Sequence, residues 1–114
     1  MPCIQVKTNA AINEQQEKAV KTRLGEAISL IPGKSEQWLM ITLEPGCTVY
    51  FRGDKEEPAA FVQVGIYGKA SAKAYDDLTG AVTGILQEEL CIPPDRIYIQ
   101  YAETPYWGYN GRNF

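Results

Sequence analysis

The second residue of the chain is a proline, Pro2, and an amino-terminal proline offers a base that no side chain supplies. Its small side chain makes Met1 a good substrate for methionine aminopeptidase. Removing Met1 would convert the Pro2 nitrogen from an amide into a secondary amine. An α-amino group titrates near about 7.7–8.0, and an apolar, cation-lined pocket lowers that value by disfavouring the charged form. A base poised near neutrality suits proton transfer from carbon, where such a group contributes roughly 10²–10⁴-fold. The dipeptide Met1-Pro2 is a common opening, so it does not carry this reading unaided.

Lys34 follows Pro32-Gly33 at a helix end. A cation there complements the helix dipole, or it binds a substrate carboxylate and steadies a developing enolate. Tyr98 and Gln100 lie two apart on a strand and share one face. A phenol and an amide so placed could orient a carbonyl, or simply sit satisfied in an interface. With no histidine in 114 residues, neither a histidine-based catalytic triad nor a histidine-ligated metal site can be built. Three other patterns read as structural. Arg52-Gly53-Asp54 is a turn, Gly65-x-x-Gly68 lacks the Lys-Ser/Thr of a phosphate loop, and Asp76-Asp77 and Glu88-Glu89 are solvated helix acids. Cys3, Cys47 and Cys91 form no Cys-x-x-Cys and read as reduced, mostly buried thiols.

The elements that must position these groups alternate in period. Cys3–Thr8 alternates apolar and polar as a strand does. Asn13 offers an N-cap to a helix whose Ala19, Val20, Leu24, Ala27, Ile28 and Ile31 fall on one face, and Pro32-Gly33 stops it. A strand over 38–43, the Pro45-Gly46 turn and a short Thr48–Phe51 run follow. The pattern then repeats at an offset of about 60 residues, since each half reads strand, helix, strand. Ala60–Tyr67 is a strand, Tyr75, Leu78, Val82, Ile85, Leu86 and Leu90 mark a second helix, and 96–101 is a last strand. A right-handed crossover in each half makes its two strands parallel. The expected architecture is an α/β (α+β) fold: two tandem β-α-β units, one four-stranded mixed sheet, and two helices on one face. Phe51, Phe61, Tyr101 and Trp107 put aromatic surface near the strands, which predicts that the uncovered face or its edges pack against other subunits.

Length and composition fit one domain over 1–114, with 45% apolar residues available for a core. A net charge of −3 argues against nucleic-acid or anionic-membrane partners. Neither a basic-then-apolar leader nor a long apolar run is visible, so the expected location is the cytoplasm.

Taken jointly, several pieces resemble the macrophage migration inhibitory factor family of the tautomerase superfamily. They are Met1-Pro2-Cys3, Thr8-Asn9, Gly33-Lys34 before Trp38, Phe51-Arg52-Gly53 leading through Glu57-Pro58, Pro94-Asp95-Arg96-Ile97-Tyr98-Ile99, and the closing Trp107-Gly108-Tyr109-Asn110-Gly111-Arg112-Asn113-Phe114. The resemblance implies a homotrimer with active sites at subunit boundaries and no required cofactor or metal. Pro2 would be the base, Lys34 and the backbone amide of Tyr67 would bind the substrate carboxylate, Tyr98 would come from a neighbouring subunit as a pocket wall, and Gln100 would bind substrate where an Asn is usual. Trp38, Trp107, Tyr109 and Phe114 would complete an aromatic pocket. The implied reaction is keto–enol tautomerisation of phenylpyruvate-like α-keto acids, with dopachrome isomerisation as a side activity. A cytokine-like signalling role with a vestigial pocket is the alternative, and non-classical secretion would accompany it. Hydrolytic dehalogenation or decarboxylation of a small unsaturated acid is a third reading, for which only Arg52 and Arg112 could be nominated. Two departures stand out. Ile66-Tyr67-Gly68 replaces the usual Ser-Ile-Gly, and Ala59-Ala60-Phe61-Val62 replaces a Cys-x-x-Cys of some members, so thiol oxidoreductase activity is not expected.

Overall fold

The computed structural model describes all 114 residues. Strand β1 spans Pro2–Thr8, helix α1 Glu14–Ala27, β2 Met40–Glu44, β3 Ala60–Tyr67, α2 Ala72–Leu90 and β4 Ile97–Thr104. A small hairpin, β5 (Gly108–Tyr109) and β6 (Arg112–Asn113), closes the chain.

Local chemistry explains the helix starts. The Asn13 side chain accepts from the Gln16 amide at 2.8 Å while the Gln16 side chain accepts from the Asn13 amide at 2.9 Å, a reciprocal capping box. Ser71 caps α2 by accepting from the Ala74 amide at 3.1 Å. The first helix stops earlier than its periodicity predicts. A 3-10 turn over Ile28–Leu30 tightens its end before Pro32 can interfere.

The sheet runs β2-β1-β3-β4, with β1·β2 and β3·β4 parallel and β1·β3 antiparallel. Each β-α-β half is therefore a parallel pair, as expected, and the halves join through their first strands. Ile4, Val6, Val62, Val64 and Ile66 point to the helices, where they meet Val20, Leu24, Leu78, Val82 and Leu86 in one buried cluster. Each such aliphatic contributes on the order of 1.5–3 kcal/mol by leaving water.

The other face carries no helix. Register places three rows across it: Met40–Cys3–Gly65–Ala102, Thr42–Gln5–Gln63–Gln100 and Glu44–Lys7–Phe61–Tyr98. Period-two alternation assigns Tyr101 to the opposite, helix-covered side. Its ring tilts against Tyr75 at 4.6 Å and so does not add to the open surface as the sequence suggested.

Other expectations also need correction. Trp38 belongs to a 3-10 turn, Glu36–Trp38, and not to β2. The Thr48–Phe51 run makes only a Phe51·Asp54 bridge. The thiols are free but not mostly buried: Cys3 and Cys47 are half-buried and Cys91 is exposed, at a left-handed helix cap. Glu88 and Glu89 are not idle, since Arg23 of α1 pairs with them at 2.9 and 3.0 Å.

The loop from Phe51 to Ala59 is strapped to the sheet by two side chains. Asn9 donates to the carbonyls of Lys55 and Glu57 and accepts from the Ala59 amide. The guanidinium of Arg96, 8% exposed, donates to the carbonyls of Pro58, Asp54, Glu57 and Phe51. No helix is long and apolar enough to cross a membrane.

Candidate functional site

The start of β1 and the end of β3 meet at one corner of the sheet, where Pro2 pairs with Ile66. Gly33 adopts φ +81°, a conformation costly for any residue with a Cβ, and turns the chain so that Lys34 leaves the helix end. Its ammonium does not cap that helix. It crosses to β3 and donates to the Tyr67 carbonyl at 2.8 Å. The Tyr67 amide donates to the Met1 carbonyl at 2.9 Å. Tyr67 thus holds Lys34 with one backbone group and the first residue with the other.

Amine chemistry at this corner is tuned. The Met1 ammonium is pushed below the ordinary α-amino value, first by burial and then by the charge and hydrogen bonding of Lys34. Pro2 is buried one residue further in. While Met1 is attached, the Pro2 nitrogen is an amide and has no basic lone pair. Cleavage of Met1 would move a secondary amine to this corner and would also free the Tyr67 amide.

Aromatic rings line the approach. Trp38 meets the edge of Tyr109 at 5.4 Å, Tyr109 stacks on Phe114 at 6.1 Å, and Phe114 tilts against Tyr67 at 5.8 Å. The closing hairpin fixes this series. Asn110 (φ +54°) and Gly111 (φ +87°) form its two-residue left-handed turn, and the Phe114 amide donates to the Trp107 carbonyl at 3.0 Å. A cleft of about 750 Å³ opens between Met1-Pro2, Trp38 and the Tyr106–Tyr109 segment. Lys34, Tyr67 and Phe114 do not border this hollow. Lys34 and Tyr67 reach it through Met1, and Phe114 through Tyr109.

Tyr98 and Gln100 are not gathered here. Tyr98 is 62% exposed, lies edge-on to Phe51 at 5.1 Å, and aligns with Phe61 at the start of β3. Five steps along the strand separate it from the position opposite Ile66, about 17 Å at the usual rise. The Gln100 side-chain oxygen accepts from Gln63 at 3.3 Å. Within one copy these two serve the open face, so only a second copy could bring them to a Pro2. Sequence reasoning passed over Tyr106, Gln37 and Met40, which also border the cleft. Tyr106 carried a signal, as one of the aromatics of the closing segment. No cluster of three Cys, Asp or Glu side chains has metal-ligating geometry.

Comparison with known proteins follows the same outline. The family model described as macrophage migration inhibitory factor matches residues 1–114. A macrophage migration inhibitory factor of Meriones unguiculatus is 29% identical over 118 aligned positions, covering 100% of this chain and 99% of that one. A crystal structure of a Leishmania major protein of this type superposes with a TM-score of 0.92 at 27% identity, over 100% of this chain and 97% of that one. A homologue from Prochlorococcus marinus gives 0.88 at 27% identity, over 98% of each chain.

Proposed function

Because the chain belongs to the macrophage migration inhibitory factor family, a branch of the tautomerase superfamily, we propose that it is a cofactor-independent tautomerase of phenylpyruvate-like α-keto acids, with the freed Pro2 amine as general base. The supporting observation is the corner itself: the Met1 amine, one residue before Pro2, has its charged form disfavoured by burial and by Lys34, and loss of Met1 would put the Pro2 amine at that corner. The family background supports an isomerase-type enzyme, and the α-keto acid preference is our own reading.

In that reading the carboxylate of the substrate sits on Lys34 and on the Tyr67 amide that loss of Met1 releases. The Pro2 nitrogen takes a proton from C3 of the keto form. Electron density moves through the new C2–C3 double bond onto the 2-oxo oxygen, which gains a proton to give the enol. Ketonisation is the same path reversed, so no atom or electron is gained or lost overall. Trp38, Trp107, Tyr109 and Phe114 flank the aryl group. The chain works as a homotrimer in which a neighbouring copy supplies Tyr98 and Gln100, a role consistent with their distance from Pro2 in one copy.

The test is direct. Intact mass first establishes that Met1 is absent, and loss of the enol ultraviolet absorbance of phenylpyruvate then reports turnover. Pro2→Gly, and protein retaining Met1, should each lose at least about 100-fold in rate. Undiminished turnover in either removes Pro2 from the mechanism. An inactive wild type with a free Pro2 terminus would favour the cytokine-like reading instead.

A further inference from the structure

We propose that Glu103 and Tyr75 are a positioning pair for the Tyr67–Ala70 corner, holding the Tyr67 carbonyl where it orients Lys34. The proposal rests on the tautomerase reading of that site. The chain leaves the sheet at this corner. It turns at Gly68, whose φ of +91° suits a residue without a Cβ, and beyond the bonds that Tyr67 makes to Met1 and Lys34, the backbone of the turn is tied to the sheet by the Gly68 amide, which donates to the Thr104 carbonyl at 3.1 Å. Glu103 pairs in register with Ile66 and lies beside this turn. One of its carboxylate oxygens accepts from the Tyr75 hydroxyl at 2.6 Å and from the Ala70 amide at 3.3 Å. A strand end, the turn and the first turn of α2 are thereby joined at one atom.

Tyr75 is itself fixed. Its ring packs on Tyr101 at 4.6 Å, and the Tyr101 hydroxyl donates to the Tyr75 carbonyl at 3.0 Å while lying 2.7 Å from the Thr79 hydroxyl. Charge states agree with the geometry. Burial, then the bond to Glu103, pushes the Tyr75 phenol up to about 12, and the Tyr75 hydroxyl and Ala70 amide hold the Glu103 carboxyl below its ordinary value. At neutral pH the donor keeps its proton and the acceptor stays ionised.

Removing the pair should loosen Lys34 without touching Pro2. Protein with a free Pro2 terminus is assayed as wild type, Glu103→Ala, Tyr75→Phe and Glu103→Gln. The first two variants should raise KM for the phenylpyruvate enol about three- to ten-fold with kcat within about two-fold, because carboxylate binding is common to ground and transition states. Glu103→Gln keeps an acceptor oxygen and should restore KM. Hydrogen exchange at Gly68 and Ala70 should quicken in Glu103→Ala, with the Lys34 side-chain NMR signals displaced. An inactive wild type with those exchange and NMR changes present refutes the tautomerase reading and supports the positioning role. Unchanged exchange, an unmoved Lys34, or reduced stability with KM intact overturns the positioning role.

Discussion

Replacing Lys34 by Met removes the ammonium and leaves an unbranched stem. That ammonium makes one hydrogen bond, 2.8 Å, to the Tyr67 carbonyl, and a bound carboxylate would be its charged partner. Hydrogen bonds involving an ionised group contribute about 1.5–3 kcal/mol, and about 1.36 kcal/mol corresponds to a factor of ten. Lys34→Met should therefore lower kcat/KM for phenylpyruvate about 10- to 150-fold, and less for its methyl ester. A second effect has a defined sign. Burial and then Lys34 depress the Met1 amine below the ordinary α-amino value of 8.0, so the folded chain binds fewer protons than the unfolded chain between the lowered value and 8.0. Stability accordingly rises with pH through that window. Without Lys34 the amine titrates higher, though still below the unperturbed value because burial persists. In protein freed of Met1 the Pro2 amine takes that place beside Lys34, so Lys34→Met should move the acid limb of the kcat/KM profile to higher pH, while in protein that keeps Met1 the window of rising stability should narrow. A pH series of enol ketonisation measures the first, and urea denaturation across the same range measures the second. A kcat/KM within two-fold of wild type together with an unmoved acid limb would refute the assignment of Lys34 to substrate and amine alike.

Two further outcomes follow from features around the site. A Cβ at Gly25 in α1 would collide with the Glu36 carboxylate, which pairs with Lys21 at 3.1 Å and opens the turn carrying Trp38. In Gly25→Ala the helix gains up to about 1 kcal/mol while an exposed pair worth about 0–1 kcal/mol is broken. Unfolding stability should stay within about 0.5 kcal/mol while Trp38 fluorescence, read in a Trp107→Phe background, changes; a loss above about 2 kcal/mol with unchanged fluorescence contradicts this. Arg96→Lys cannot span the carbonyls of Pro58, Asp54 and Glu57 from a single point charge. It should cost roughly 1.5–3 kcal/mol by urea denaturation at unchanged m-value, and an unaltered midpoint would show that the loop does not depend on the fork.

The architecture was legible because both signals that specify it are periodic. The alternation in Ile4, Val6 and in Val62, Val64, Ile66 fixed which sheet face meets the helices, and the spacing of Leu78, Val82, Ile85 and Leu86 fixed the face that answers it. Element ends were less legible, since they depend on competition at single residues. The 3-10 turns at Ile28–Leu30 and Glu36–Trp38 took residues that periodicity assigned to a helix and a strand. At the site, sequence gave Lys34 two roles, and only the 2.8 Å reach to a residue 33 positions away excluded the helix cap. Two residues of the recognisable pieces proved to be fasteners: Asn9 and Arg96 strap the loop that begins at Phe51. Tyr101 was misread because it was grouped with other aromatics by nearness to strands alone, whereas successive residues of a strand face opposite sides.

The two extremities of this sequence converge on a single residue. Tyr67 binds Met1 through its amide and touches Phe114 through its ring. An affinity handle fused ahead of Pro2 keeps the nitrogen acylated, and one fused after Phe114 pulls on the ring stack beside it. Purification tags, fluorophores and surface-immobilisation anchors should instead enter away from both ends, and not at the Gly46 turn, where the Gly46 and Cys47 amides donate to the Ala10 and Thr8 carbonyls. For the same reason, joining the old ends in a circular permutant would sacrifice the chemistry while sparing the sheet.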